Sequence, residues 1–167
     1  MGIQQALYDV FARASKSEKV KDRNLRGLRR IVESSDIFGR PLQVTFTGVY
    51  SQGTKAHYSQ QLEHTFVIGQ TPEQIEAMKE QGVLETVVFE GGVGKALRST
   101  IMGTITPETV EFTKGYDLSI GEHVNFREIK YQGTSNDGVN YEGTWRFDDS
   151  ERNKFATTGT FRIQKVI

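Results

Sequence analysis

From Val139 to Ile163 the chain alternates apolar and polar positions almost without a break. Val139, Tyr141, Gly143, Trp145 and Phe147 share one parity, and Asn140, Glu142, Thr144 and Arg146 share the other. A period of two over this length predicts a strand with one buried face. After the polar run Asp148–Asn153 the pattern resumes, with Phe155, Gly159, Phe161 and Ile163 inward. The two halves therefore read as a hairpin. Each carries a smaller unit, in which Gly lies between two residues of the inward face. Tyr141-Glu-Gly-Thr-Trp145, Phe46-Thr-Gly-Val-Tyr50 and Ile101-Met-Gly-Thr-Ile105 are clear copies, and Thr157-Thr-Gly-Thr-Phe161 is a weaker one. Gly inside a strand costs stability, so its repetition predicts sharply bent strands or the close approach of another inward side chain.

The chain opens with helical spacing instead. Ile3, Leu7, Val10, Phe11 and Ala14 predict an amphipathic helix, and Leu25, Leu28, Ile31 and Val32 predict a second. Gly39 and Pro41 punctuate the change to period two. Leu42, Val44, Phe46, Gly48 and Tyr50 then form one apolar face, and Gly53 marks a turn. Tyr58, Leu62, Phe66 and Ile68 form the face of the next strand, which Gln60 and His64 share. Thr71-Pro72-Glu73-Gln74 is a capping box with proline in the first turn, and Gly82 is a C-cap, so a short helix is expected near 72–81. Strands follow over Val83–Phe89 and Leu97–Ile105, and then through Val110, Phe112 and Tyr116. Gly121 marks a turn, and His123–Gln132 is strand-like with a change of face between Phe126 and Ile129 that suggests a bulge. Asn136-Asp137-Gly138 is a hairpin turn.

Eight strands joined by short turns make a meander of antiparallel neighbours. The expected fold is mainly β: an up-and-down eight-stranded barrel, with the last strand closing on the first near Leu42, or a strongly curved sheet in its place. One or two amphipathic helices precede it. The domain reading is a helical extension over 1–40 and a β-barrel over 41–167 carrying the inserted helix.

Composition narrows the chemistry. The chain of 167 residues has no cysteine, which removes thiolate catalysis, disulfides and cysteine metal sites. No apolar run is long enough to span a bilayer and the start does not read as a signal peptide, so a cytoplasmic location is the expectation. The net charge is zero, but residues 1–40 hold nine basic against five acidic side chains. That excess suggests a nucleic-acid or membrane face, but Glu18 and Asp22 interrupt it and no aromatic residues are interleaved, so it reads as a solvated face.

Gly91-Gly92-Val93-Gly94-Lys95 resembles a phosphate-binding loop, but Ala96 stands where a magnesium-binding hydroxyl is needed and a strand follows, so it reads as a hairpin turn. His57 and His64 lie an odd number of residues apart and face opposite ways on one strand. Neither Glu63-His64 nor Glu122-His123 can form a dyad on an unbroken strand. No metal site and no cofactor is expected.

Gly143-Thr144-Trp145 is similar to the Gly-x-Trp element of calycins, the lipocalin and avidin-like barrels, and the eight-strand meander is also similar. Calycins carry the element on the first strand, whereas here it falls on the seventh. The resemblance implies a cavity for a small, mostly apolar ligand. The inward positions Tyr50, Tyr58, Phe66, Phe112 and Trp145 would line it, with Gln60 and His64 as polar handles.

Three functions are compatible with this pattern. The first is a non-catalytic binding barrel for a small apolar or aromatic ligand. The second is an assembly module, using the N-terminal helices and the barrel exterior for a partner protein or a second copy. The third is a cyclase- or isomerase-type enzyme, ranked last because no nucleophile–base pair is visible.

Overall fold

The computed structural model describes residues 18–37, 39–52, 63–91, 97–116, 128–147 and 158–167. The helix expected over Ile3–Ala14, the turns at Gly53 and Gly121, the face change after Phe126, and Tyr58, Gln60, Leu62, His57, His123 and Phe155 lie outside them.

The chain runs α1 (Glu18–Ser34), β1 (Asp36–Ile37), β2 (Arg40–Pro41), β3 (Gln43–Gln52), β4 (Glu63–Gln70), α2 (Pro72–Gln81), β5 (Val83–Glu90), β6 (Leu97–Ile105), β7 (Thr109–Tyr116), β8 (Ile129–Ser135), β9 (Asn140–Phe147) and β10 (Thr158–Lys165). Strands β3 to β10 form a closed antiparallel barrel in chain order, and β1 and β2 pair as a small separate hairpin. Closure comes from β10 pairing with β3, Phe161 opposite Tyr50 and Ile163 opposite Gly48. This removes both sheet edges. The half-open alternative is excluded.

The final hairpin has the expected register. Tyr141, Trp145, Phe161 and Ile163 are buried, while Glu142, Thr144, Arg146 and Arg162 are exposed. Val139 is a correction: it lies in the turn before β9 and is 39% exposed. The Asp137 carboxylate organises that turn by accepting the backbone N–H groups of Asn140 at 2.7 Å and Val139 at 2.8 Å. Those bonds, Asn140's first, hold its acid well below the usual carboxylate range.

The first barrel strand is a second correction. A register shift between Val44 and Phe46 divides its apolar set. Phe46 joins the barrel interior, with Gly48 and Tyr50 at the same parity, while Leu42 and Val44 face the other way. On that outer side they pack with Leu28 and Val32 of α1 and with Val67, Val87 and Phe89. A Cβ on Gly69 would collide with Val32, so glycine lets the helix lie close against β4. The apolar face of α1 is therefore spent on the barrel wall, leaving Arg23, Arg26, Arg29 and Arg30 exposed. No helix among the described residues is long and apolar enough to cross a membrane.

The two ends of the barrel differ. At one end α2 joins β4 to β5, and its Met78 enters the interior cluster. Its capping box is formed by Thr71 and Gln74, and Gly82, at φ 68°, ends it by donating its N–H to Met78 O. The opposite end carries the last residues of β3, β5, β7 and β9, and the segments that join them to β4, β6, β8 and β10 lie largely outside the described residues. The Gly-rich run 91–95 belongs to the β5–β6 connection, and these strands are antiparallel neighbours. Residues 92–96 lie outside the described residues; the elements that flank them are two antiparallel strands, not the strand and helix that a phosphate loop joins.

Candidate functional site at one end of the barrel

Alternation places Leu84, Val88 and then Glu90 on the inner face of β5, and Val110, Phe112 and then Lys114 on the inner face of β7. The last residue of each series is charged. Barrel curvature brings the two together across the intervening strand. Glu90 is 2% exposed and Lys114 3%. Lys114 Nζ donates to Glu90 Oε1 in a buried ion pair. The Tyr50 hydroxyl donates to Glu90 Oε2 at 2.9 Å, and Lys114 Nζ reaches the Tyr131 hydroxyl at 3.4 Å. The ammonium also lies 4.9 Å from the centroid of the Tyr50 ring, where the ring face favours a cation.

Aromatic side chains surround the pair. The His64 ring stacks on Tyr50 at 4.7 Å, and Phe66 and Trp145 approach the same tyrosine at 6.0 and 6.4 Å. Trp145 Nε1 donates to Ser51 O at 2.9 Å, fixing the indole against the opening strand. One level deeper, Phe112 stacks on Tyr131 at 4.7 Å and Phe161 meets both edge-on. Below this the interior is filled by its own side chains, Phe46, Ile68, Met78, Leu84, Ile101 and Ile105 among them.

The structure thus joins five of the seven residues expected to line a cavity, Tyr50, His64, Phe66, Phe112 and Trp145, in one network of ring contacts running through Tyr50, Tyr131 and the ion pair. Tyr58 and Gln60 lie outside the described residues. The inward glycines do not leave open volume. A Cβ on Gly48 would come within 2.6 Å of Phe66 Cζ and 2.8 Å of Ile163 Cγ2, and one on Gly133 within 2.9 Å of Phe161 Cζ. Rings already occupy that space, so the glycines serve close packing.

Glu90 and Lys114 were not among the expected site residues. Glu90 reads as the start of a Gly-rich turn, and Lys114 is one polar residue between Phe112 and Tyr116. The available signal was parity: each is the charged residue at an inward position of a mostly apolar alternation.

Burial pulls the His64 imidazole down to about 4, with Lys114 acting in the same direction and Glu90 against it. His64 is therefore neutral at pH 7. Its unfolded-state value is near 6.5, so its contribution to stability is complete above pH 6.5 and is lost as the pH falls towards 4. We expect about 3 kcal/mol of acid destabilisation from this one group. Denaturant unfolding at pH 7 and pH 4.5 should show it, and His64→Phe should flatten that part of the profile. An unchanged pH dependence in the variant would remove His64 as its source.

The described residues contain no group of three His, Cys, Asp or Glu side chains arranged to hold a metal. Depressions of about 430 and 440 Å³ adjoin on the outer wall, sharing Val49, Thr134, Glu142 and Arg162. Among the described residues lining them, most are polar and none forms a comparable buried ion pair. Compared with known proteins, the chain matches no family model, no curated protein and no solved structure, so its likeness to calycins consists of Gly143-Thr144-Trp145 and the closed eight-stranded antiparallel barrel.

Proposed function

We propose that the protein is a non-catalytic binding barrel that takes a small apolar or aromatic ligand at the barrel end carrying Tyr50, His64, Glu90 and Lys114. The observation that carries this reading is the buried ion pair in the largely apolar barrel interior. Desolvating two charges is expensive, and a well-packed apolar pair at such sites is often equally or more stable. The pair therefore has a use other than stability, and ordering polar groups against a ligand is the use that fits its aromatic surroundings. Both Glu90 oxygens accept bonds from donors, so it is not poised as an open general base, which keeps the enzyme reading behind the binding one. The assembly reading loses the apolar face of α1, which the barrel already covers.

Trp145 is the only tryptophan in the chain and its ring lies 6.4 Å from that of Tyr50. Titration with retinoid-like, fatty-chain and tetrapyrrole compounds should shift or quench its emission in a saturable way, and His64→Ala should weaken the compound that binds. Absence of saturable binding across the panel, checked by calorimetry, would refute the proposal.

A further inference from the structure

Resting on that reading, we infer that the ligand presents an uncharged polar group, a hydroxyl or a carbonyl, to the barrel interior, and that the Ser99 hydroxyl is its hydrogen-bond partner.

Ser99 lies on the inner face of β6, at the same parity as Ile101 and Ile105 of the interior cluster. It is 0% exposed, and its Oγ has no hydrogen-bond partner among the described residues. In the register it pairs with Val88 on one side and Tyr116 on the other. Two residues on along the same faces are Glu90 and Lys114, so Ser99 is their diagonal neighbour at the same end of the barrel. A buried hydroxyl without a partner is costly, and this one stands beside the most polar group in the interior.

Among the described residues, the charge balance in the barrel interior selects against ions. Lys114 is the only buried cationic side chain among the described residues and Glu90 the only buried carboxylate. They neutralise each other, with Tyr50 bound to the second carboxylate oxygen. An incoming carboxylate would lose its hydration and meet Glu90, while Lys114, the buried cation among the described residues, is already engaged. An incoming ammonium would meet Lys114 in the same way. A neutral hydroxyl or carbonyl pays neither cost, and the serine hydroxyl, able both to donate and to accept, suits either one.

The test uses matched pairs differing only in the polar group: retinol against retinoate, 1-dodecanol against dodecanoate, and 2-naphthol against 2-naphthoate. Each is titrated at pH 7.0 into the full chain and into Ser99→Ala, by Trp145 emission and by calorimetry. The neutral member of a binding pair should bind at least about tenfold more tightly, the scale of one buried hydrogen bond plus the penalty on the ion. Ser99→Ala should weaken the neutral member several-fold while leaving the free protein at least as resistant to denaturant, because the deleted hydroxyl has no partner to lose. A purely structural serine would not produce that opposition of effects. Binding of the carboxylate as tight as that of its neutral partner, or an unchanged affinity in Ser99→Ala, overturns the inference and leaves the binding barrel standing. Failure of every member to bind overturns the binding-barrel reading and the inference with it.

Discussion

Lys114→Met is expected to destabilise the protein by about 3–5 kcal/mol, the scale for removing one partner of a buried ion pair. The substitution leaves the Glu90 carboxylate buried at 2% exposure, with Tyr50 as its remaining hydrogen-bond partner among those described above. Glu90→Leu should cost a similar amount, because it strands the ammonium beside two tyrosine rings. The double variant Glu90→Leu/Lys114→Met removes both charges and should recover most of the loss. Denaturant unfolding of the four proteins forms a double-mutant cycle whose coupling should reach several kcal/mol. Additive losses would show that the two side chains are not a pair in solution. The double variant also separates stability from function: it should fold well and bind the ligand poorly.

Gly143→Ala should be nearly as damaging, with a loss of at least about 3 kcal/mol, at the upper end for overpacking. A Cβ on Gly143 would fall on the Gln132 carbonyl oxygen and 2.5 Å from the Gly133 Cα, so the obstacle is the backbone of β8. A side chain can move aside, but the β8–β9 ladder has to part, because Gly133 and Gly143 are directly opposed within it. Gly115→Ala is the control. It lies in β7 with nothing among the described residues within 4 Å of the added carbon. There the change should be within about 0.5 kcal/mol, or a gain through lost freedom in the unfolded chain. Chemical denaturation measures both, and a neutral Gly143→Ala would mean that β8 and β9 are less tightly coiled than described.

The glycine units show how far pattern alone reaches. Their inward parity was readable in the sequence, and so was the need for a close neighbour. Which neighbour was not. At Gly48 it is the Phe66 ring and Ile163; at Gly143 it is the facing strand itself. The first barrel strand shows the opposite case. Leu42, Val44, Phe46, Gly48 and Tyr50 keep a perfect period of two, yet a bulge at Thr45 divides them between the helix-facing wall and the interior. Periodicity records only that a position is buried, and the two sides of that strand are both buried.

The sequence by itself determined the strands, the capped helix over Pro72–Gln81, the turn at Asp137 and the antiparallel meander, because each depends on local spacing or on neighbours joined by short turns, while the closure of β10 on β3 was decided by the tertiary structure. The sequence also identified Tyr50, His64, Phe66, Phe112 and Trp145 as inward-facing. Only the tertiary structure decided that the inward glycines are packed against a ring at Gly48 and against the facing backbone at Gly143, and that α1 spends its apolar face on the barrel. It alone paired Glu90 with Lys114. These two residues are separated by a whole strand, and in a one-dimensional pattern each is a single charged residue in a mostly apolar alternation. Their meeting depends on how tightly the sheet is coiled, and that curvature arises from contacts distributed over all eight strands.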